Sequence, residues 1–368
     1  PISRADMAKL SGLNKATVSL ITSDLLKENF IVEEGSGSTT PIGGKPPTPL
    51  RLNELRFGIL GLDVRADETI LALSDFQNRL IARKSFETGK DARSFLREIG
   101  GEITRLRAEH PEFIEIAGIG VSLPGLVDNQ AGKFISSVVL PWRDVPIVEW
   151  LRESTGLPVI IDNSARCGAL AEIWHSKSHY AHVRNLLYVS VSSGLACGVV
   201  IDGSLYRGGT NAAGQFGHIP IDFNGPECRC GQRGCWDLYA SDNATIARYK
   251  NLPGATARRG VTMRRIVKLV ESGDPAATQA VSDTARYLGI GIAGLVNGLD
   301  PEVVTIGGEI TKSWSLVEPI IAQELSRNLL VSAGRKIEVR PSTFNVRPSL
   351  KGAFTLVLSE LLSVPHFG

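Results

Sequence analysis

The sequence predicts an α/β protein with a helix-turn-helix segment at its N-terminus. Three observations carry that reading. The first is two short helical patterns with capping residues, separated by a glycine turn, before residue 30. The second is a run of strand patterns, Phe57 to Asp63, Thr69 to Leu73 and Leu80 to Phe86, followed by an amphipathic helix over 91–109 and a buried strand over Ile116 to Val121. The third is a histidine and cysteine cluster near the middle of the chain, spaced as metal ligands are spaced.

At 368 residues the chain has room for two or three domains with real cores. A net charge of +2 and 43% hydrophobic residues describe an ordinary globular protein. No run of about 18 apolar residues is present, so no membrane span is expected, and no charged-then-apolar leader opens the chain. Five cysteines, three of them clustered, point to a reducing cytosol. Cys167 and Cys197 stand alone in apolar company and read as packing residues. The chain opens on Pro1 rather than methionine, so further native sequence is expected ahead of it.

Ser3 and Asp6 form a capping box for a first helix, with Met7 and Leu10 on its apolar side, and Gly12 ends it. Asn14 caps a second helix over Lys15 to Glu28, with Val18, Ile21, Leu25 and Leu26 at helical spacing. Helix, short turn, helix is the pattern whose second helix enters the DNA major groove. Lys15, Ala16, Thr17 and Ser19 are its exposed N-terminal positions. Lysine suits phosphates, and the hydroxyls suit base edges or phosphates. A strand at Phe30 to Val32 and a wing and tether over Glu33 to Pro49 follow. There Gly43-Gly44-Lys45-Pro46-Pro47 is small, stiff and basic, and Lys45 is placed for a minor-groove or backbone contact. Net charge alone does not single this segment out, because its acidic residues balance its basic ones, and a helical hairpin for protein contacts is the alternative.

His218 precedes Cys228-x-Cys230-x4-Cys235 by ten residues. Three thiolates and one imidazole fit a closed tetrahedral zinc site, with Gly231 and Gly234 allowing tight turns between ligands. The alternatives are a disulfide or cysteines packed in a core. C-x-C is a poor disulfide pair, and three clustered cysteines leave one over.

The pattern GH-x9-C-x-C-G-x2-G-C resembles the signature of the ROK family of repressors, open reading frames and sugar kinases, built on an actin-like fold. The resemblance runs from about residue 3 to the C-terminus. It implies a winged helix-turn-helix, normally with one more helix before Ser3, fused to a two-lobed kinase-like module. It also implies Zn2+ on His218, Cys228, Cys230 and Cys235. Pro124-Gly125-Leu126-Val127-Asp128 and Leu140-Pro141-Trp142 match family turns, although Val139 stands where kinases often place a sugar-contacting asparagine. Asp162-Asn163-Ser164-Ala165 is similar to a family segment whose aspartate acts as the base of phosphoryl transfer. Here Ser164 holds that position, and serine has no useful basicity at pH 7. The first phosphate turn, Asp63-Val64-Arg65-Ala66-Asp67, lacks the family's glycines. The second, Ser192 to Gly198, keeps only some of them. Gly307 and Gly308 match the family's turn near the nucleotide base. The family's sugar-binding residues fall on Asn163, Gln215, His218 and Asp237, with Gln215 and Asp237 in place of glutamates.

These features predict a cytoplasmic, ligand-responsive transcriptional repressor without catalytic residues. It is expected to bind duplex DNA at a palindromic operator as a homodimer or dimer of dimers. A sugar or phosphosugar effector is expected in the cleft. Residues 1–52 form the DNA-binding unit and linker, 53–165 with 348–368 the first lobe, and 166–347 the second lobe with the zinc knuckle. Residues 261–299 are expected to be helical, with Arg264, Arg265 and Lys268 on a solvated face. The last helix, around Lys351 to Leu362, is expected to pack on the first lobe. An active sugar kinase with a fused DNA-binding unit, or a repressor controlled by a partner protein, are the alternatives.

Overall fold

The computed structural model describes residues 1–35, 48–175, 180, 182–256, 259–330, 337–344 and 347–362. The N-terminal unit consists of α1 (Arg4–Ser11), α2 (Lys15–Lys27), β1 (Ile31–Glu33) and β2 (Leu50–Leu52). The Asp6 amide donates to Ser3 Oγ, Gly12 ends α1 at φ +71°, and the Thr17 amide donates to Asn14 Oδ1 at 2.8 Å. Both caps therefore form where the sequence places them. β1 and β2 pair antiparallel, Ile31 opposite Leu52. Lys45 and the rest of the basic wing lie outside the described residues.

The packing faces of the two helices follow expectation only in part, with Val18 buried and Leu25 and Leu26 half-buried as predicted. Leu10 is 79% exposed and Ile21 is on the surface, while Ala8, Val18 and Thr22 are buried. Thr22 can go inside because its hydroxyl donates to the Val18 carbonyl at 2.9 Å and accepts from Arg4 Nε at 3.1 Å. A satisfied hydroxyl costs little to bury.

The first lobe runs β3 (Phe57–Val64), β4 (Glu68–Ser74), β5 (Leu80–Glu87), α3 (Ala92–Glu109) and β6 (Glu115–Leu123). It continues through β7 (Leu126–Asp128), β8 (Lys133–Ser136), β9 (Arg143–Val145), α4 (Ile147–Thr155) and β10 (Val159–Asn163), and α5 (Ser164–His175) then leads into the second lobe and packs on its sheet. Its sheet order is β10-β6-β3-β4-β5: an antiparallel meander, then β6 parallel to β3 and β10 parallel to β6.

The second lobe has β11 (Leu186–Val191), β12 (Leu195–Ile201), β13 (Ser204–Tyr206), α6 (Asp237–Ala240) and α7 (Asp242–Asn251). It then runs α8 (Met263–Glu271), α9 (Pro275–Leu299), β14 (Val303–Gly307), α10 (Trp314–Asn328) and β15 (Glu338–Pro341), and the final helix α11 (Pro348–Leu362) returns to pack on the first-lobe sheet, as expected. Its order, β13-β12-β11-β14-β15, repeats the topology of the first sheet. This duplicated sheet is the expected two-lobed actin-like arrangement. The helical stretch over 261–299 is two helices, because Gly273 takes φ +81° and Asp274 caps α9 with Pro275 at its first position. Arg264, Arg265 and Lys268 lie exposed on α8.

Each sheet is covered on both faces. Leu60, Leu62 and Val121 pack with α3 and α4, whereas Phe57, Ile59 and Ile70 pack with Phe354 and Val357 of α11. In the second lobe, Val189, Val304 and Ile306 pack with α9 and α10, and Leu186, Tyr188 and Val200 meet Ala165 and Ala169 of α5. Cys167 and Cys197 are buried packing residues. Among the described residues no helix is long and apolar enough to cross a membrane.

Candidate metal knuckle and cleft

A 3-10 turn over Phe216–His218 carries the first ligand, and the other three follow on a loop pinned by the Pro220–Cys235 and Glu227–Arg233 bridges. Gly231 and Gly234 take φ +94° and +63°, as tight turns between ligands require. A side chain at Gly234 would put a Cβ 1.6 Å from the Asp222 carbonyl oxygen. The ligand atoms of His218, Cys228, Cys230 and Cys235 all lie within 4.8 Å of one another. Cys228 Sγ is 3.6 Å from His218 Nδ1, and Cys230 Sγ is 3.6 Å from Cys235 Sγ. A tetrahedral zinc with sulfur at about 2.3 Å sets its sulfurs about 3.7 Å apart, so the donor set and spacing fit such an ion. None of the five cysteines is in a disulfide.

The knuckle is tied into the second lobe by the residue after its last ligand. Trp236 is buried in the core around α9, and its indole donates to the Tyr287 carbonyl at 2.8 Å. Asp237 follows at the start of α6. Its Oδ1 accepts the Leu195 amide, fixing the β11–β12 turn, and burial pushes its carboxyl above the ordinary value while that amide pulls it back. Gln215 is half-buried, and its carbonyl accepts the His218 amide at 3.1 Å.

Asn163 ends β10 with its side chain already engaged. Its amide donates to the Gly125 carbonyl at 2.7 Å, and its Oδ1 accepts the Ala165 amide at 2.8 Å. Gly125 sits at φ +103°, with the Ser136 carbonyl too close for any side chain. Ser164, at the position that the resemblance gives to a kinase's base, is the half-buried first residue of α5.

Three ionic arrangements around these residues escape motif reading. Asp162 is fully buried, 2.6 Å from Arg166 Nε and 2.9 Å from Arg207 Nη2. Arg166 also donates to the carbonyls of Asn211 and Val127. Arg207 and Asn211 lie beyond β13, so this cluster joins the two lobes. At the first phosphate turn, buried Asp63 accepts from Ser122 Oγ, Arg65 Nε and Arg347 Nη1 at 2.9, 3.1 and 3.3 Å, and Arg347 also pairs with Glu68. In the second lobe, Asp242 donates its amide to the Ser192 carbonyl, while its enclosed Oδ1 has no partner among the described residues. Burial and the charge of Glu309 push its carboxyl up to about 7, against the pull of Arg65. The i,i+4 spacing of Asp162 and Arg166 was a signal open to reading. Arg347 and Asp63 are 284 positions apart and gave none.

On α2, Lys15, Ala16 and Ser19 are exposed. Thr17 is only half-exposed, and its hydroxyl bonds Asn14 Oδ1 at 3.0 Å, so it serves the cap rather than a free surface. Leu20, 65% exposed on the same helix, was not anticipated.

A profile described as the ROK family matches residues 59–360. The chain belongs to the ROK family. A xylose repressor from Caldicellulosiruptor bescii is 32% identical, over 100% of this chain and 94% of that protein. A glucokinase from Halalkalibacterium halodurans is 33% identical over 70% of this chain and 80% of its own, so the ROK relatives include a kinase. The crystal structure of a ROK family transcriptional regulator, a homolog of the Escherichia coli MLC protein, superposes with a TM-score of 0.80 at 27% identity, covering 97% of this chain and 92% of that one.

Proposed function

We propose that this ROK family chain is a sugar-responsive, DNA-binding transcriptional repressor whose kinase-like module binds its effector without phosphorylating it. The observation that carries the reading is the pairing of a capped helix-turn-helix with a degenerate kinase module. Asp63, Arg65 and Arg347 form ion pairs at the first phosphate turn, and Ser164 replaces the base. Repressor relatives that match this chain along its whole length support it. Lys15, Ala16 and Ser19 are the proposed DNA contacts of α2, with Thr17 as part of its cap and Lys45 on the wing.

In this reading residues 1–52 bind a palindromic operator, and the actin-like lobes, divided at about 165/166 and closed by 348–368, hold a sugar or phosphosugar. Asn163, Gln215, His218 and Asp237 border the effector site. A homodimer, or a dimer of dimers, would set the spacing of two α2 helices against two half-sites. The Cys3His set suits zinc, which would supply a closed structural centre rather than a reactive one. His218, using Nδ1 toward the thiolates, would keep its other ring nitrogen to donate toward a ligand. Thiolate ligands fit a cytoplasmic location.

Loss of a catalytic base typically lowers rate by about 10²–10⁴-fold, and loss of phosphate contacts removes most of what drives phosphoryl transfer. A coupled ADP-release assay over pentoses, hexoses, amino sugars and their phosphates, run beside calorimetry, is expected to give binding without turnover. Sugar-dependent ATP hydrolysis clearly above background would instead establish the sugar-kinase alternative. A ligand-free outcome across the panel would favour control by a partner protein.

A further inference from the structure

The N-terminal unit meets the first lobe through a built contact. Phe30, at the entry to β1, stacks edge-on against Phe57 with ring centroids 5.4 Å apart, and against Phe76 at 6.2 Å. Phe57 and Phe76 are themselves 5.5 Å apart and buried. The Arg56 guanidinium lies 4.2 Å over the Phe57 ring and 5.5 Å from that of Phe30. Its Nε donates to the Glu28 carbonyl at the C-cap of α2, and its Nη1 reaches Glu115 at 2.9 Å. Asn53 adds two bonds, from its amide to the Phe30 carbonyl and from its side chain to the Asn29 carbonyl. A merely tethered unit leaves few such contacts across its linker.

The same contact runs on to the cleft. Strand alternation puts Phe57, Ile59, Gly61 and Asp63 of β3 on the face that α11 covers. Phe57 and Ile59 pack with α11, Gly61 leaves room for Phe354 and Leu350, and Asp63 bonds Arg347 just ahead of that helix. One strand and one helix therefore share a single core, with Phe30 at one end and the Asp63–Arg347 ion pair of the old phosphate turn at the other.

We infer that residues 1–35 are a rigid extension of the first lobe, seated by the Phe30–Arg56–Phe57–Phe76 joint. β3 and α11 couple the C-terminal end of α2 to the Asp63–Arg347 end of the cleft. The regulatory meaning of this joint rests on the DNA-binding reading above; its mechanical existence does not. Such coupling lets a change in the cleft reorient the recognition helix without any contact between effector and DNA.

The test is amide hydrogen exchange on the full chain, read in peptides covering Leu25 to Glu33. There the Glu28, Asn29 and Phe30 amides bond Asp24, Leu26 and Leu25. Phe76→Ala is expected to speed exchange in that segment at least tenfold, with Leu186 to Val191 unchanged. Arg56→Ala removes no core volume and is expected to do the same, which guards against a Phe76→Ala chain that fails to fold. Arg347→Ala, at the cleft end, is expected to speed exchange several-fold in the native background and to add nothing in the Phe76→Ala background. Unchanged exchange in both joint variants would overturn the rigid seat. An Arg347→Ala effect that is absent, or undiminished beside Phe76→Ala, would overturn the route through β3 and α11. The exchange readout needs no DNA, so failure of residues 1–35 to bind any duplex would sink the repressor reading and leave the joint standing.

Discussion

Asp242 is a buried carboxyl under marked electrostatic tension. Its Oδ1 is enclosed without a partner among the described residues, Glu309 adds a like charge, and its carboxyl is pushed up to about 7 from 3.8. A folded pKa above the unfolded one means that the folded state holds the proton more tightly. Its contribution to stability is thus fully present below about pH 4 and is lost as pH rises through about 7. Asp242→Asn is therefore expected to raise stability at pH 8 by on the order of 2 kcal/mol and to change little at pH 4. Equal effects at both pH values in thermal melts would contradict it. Cys230→Ser should abolish binding of one zinc per chain, measured by metal analysis, and lower stability with it, because a site unformed in the unfolded chain adds its binding energy to folding. The knuckle was legible because its ligands sit within eighteen residues, His218 to Cys235, where spacing alone constrains geometry. Asp242 and the Asp63–Arg347 pair were not, since their environments are assembled from both ends of the chain.

On the scale of elements, α2 behaves as its caps dictated, and its surface did not follow its hydrophobic spacing. Asn14 and Thr17 close the first turn, so Thr17→Ala is expected to act through helix stability, by about 0.5–1 kcal/mol, on every DNA sequence alike. Ser19→Ala is then the variant expected to relax sequence preference. Lys15→Ala should weaken binding to all sequences and lower the salt dependence of log K by about one. Mobility-shift titrations at several salt concentrations, over a selected operator and a scrambled duplex, separate the three. A sequence-selective loss in Thr17→Ala would return that side chain to the base edges. Spacing predicted Ile21 inside and Leu10 against the core; a back-bonded Thr22 and a small Ala8 took those places. Strand limits, by contrast, came within a residue or two, because β3, β4 and β5 are bounded by turns with marked residues such as Asn78 at φ +61°.

For the whole molecule, the Asp162–Arg166–Arg207 cluster is an ionic link between the lobes, with Asp162 and Arg166 buried. The resemblance supplied the two lobes; the sequence alone could not place Arg207 beside β10, since that contact forms only once both sheets are folded. Arg166 is 1% exposed, and its guanidinium also serves the Val127 and Asn211 carbonyls on opposite sides of the junction. Breaking one partner of a buried pair costs about 3–5 kcal/mol, because the remaining charge stays enclosed. Arg207→Ala leaves Arg166 to neutralise Asp162 and should cost less. Arg166→Ala removes the bridge itself, and the lobes are then expected to unfold in two separated calorimetric transitions where the native chain gives one coupled transition. Arg166→Lys retains the charge but not the three-way fork, and it should fall between. A single, merely shifted transition in Arg166→Ala would mean that α5, which packs against both α11 and β12, couples the lobes without help from the ionic cluster.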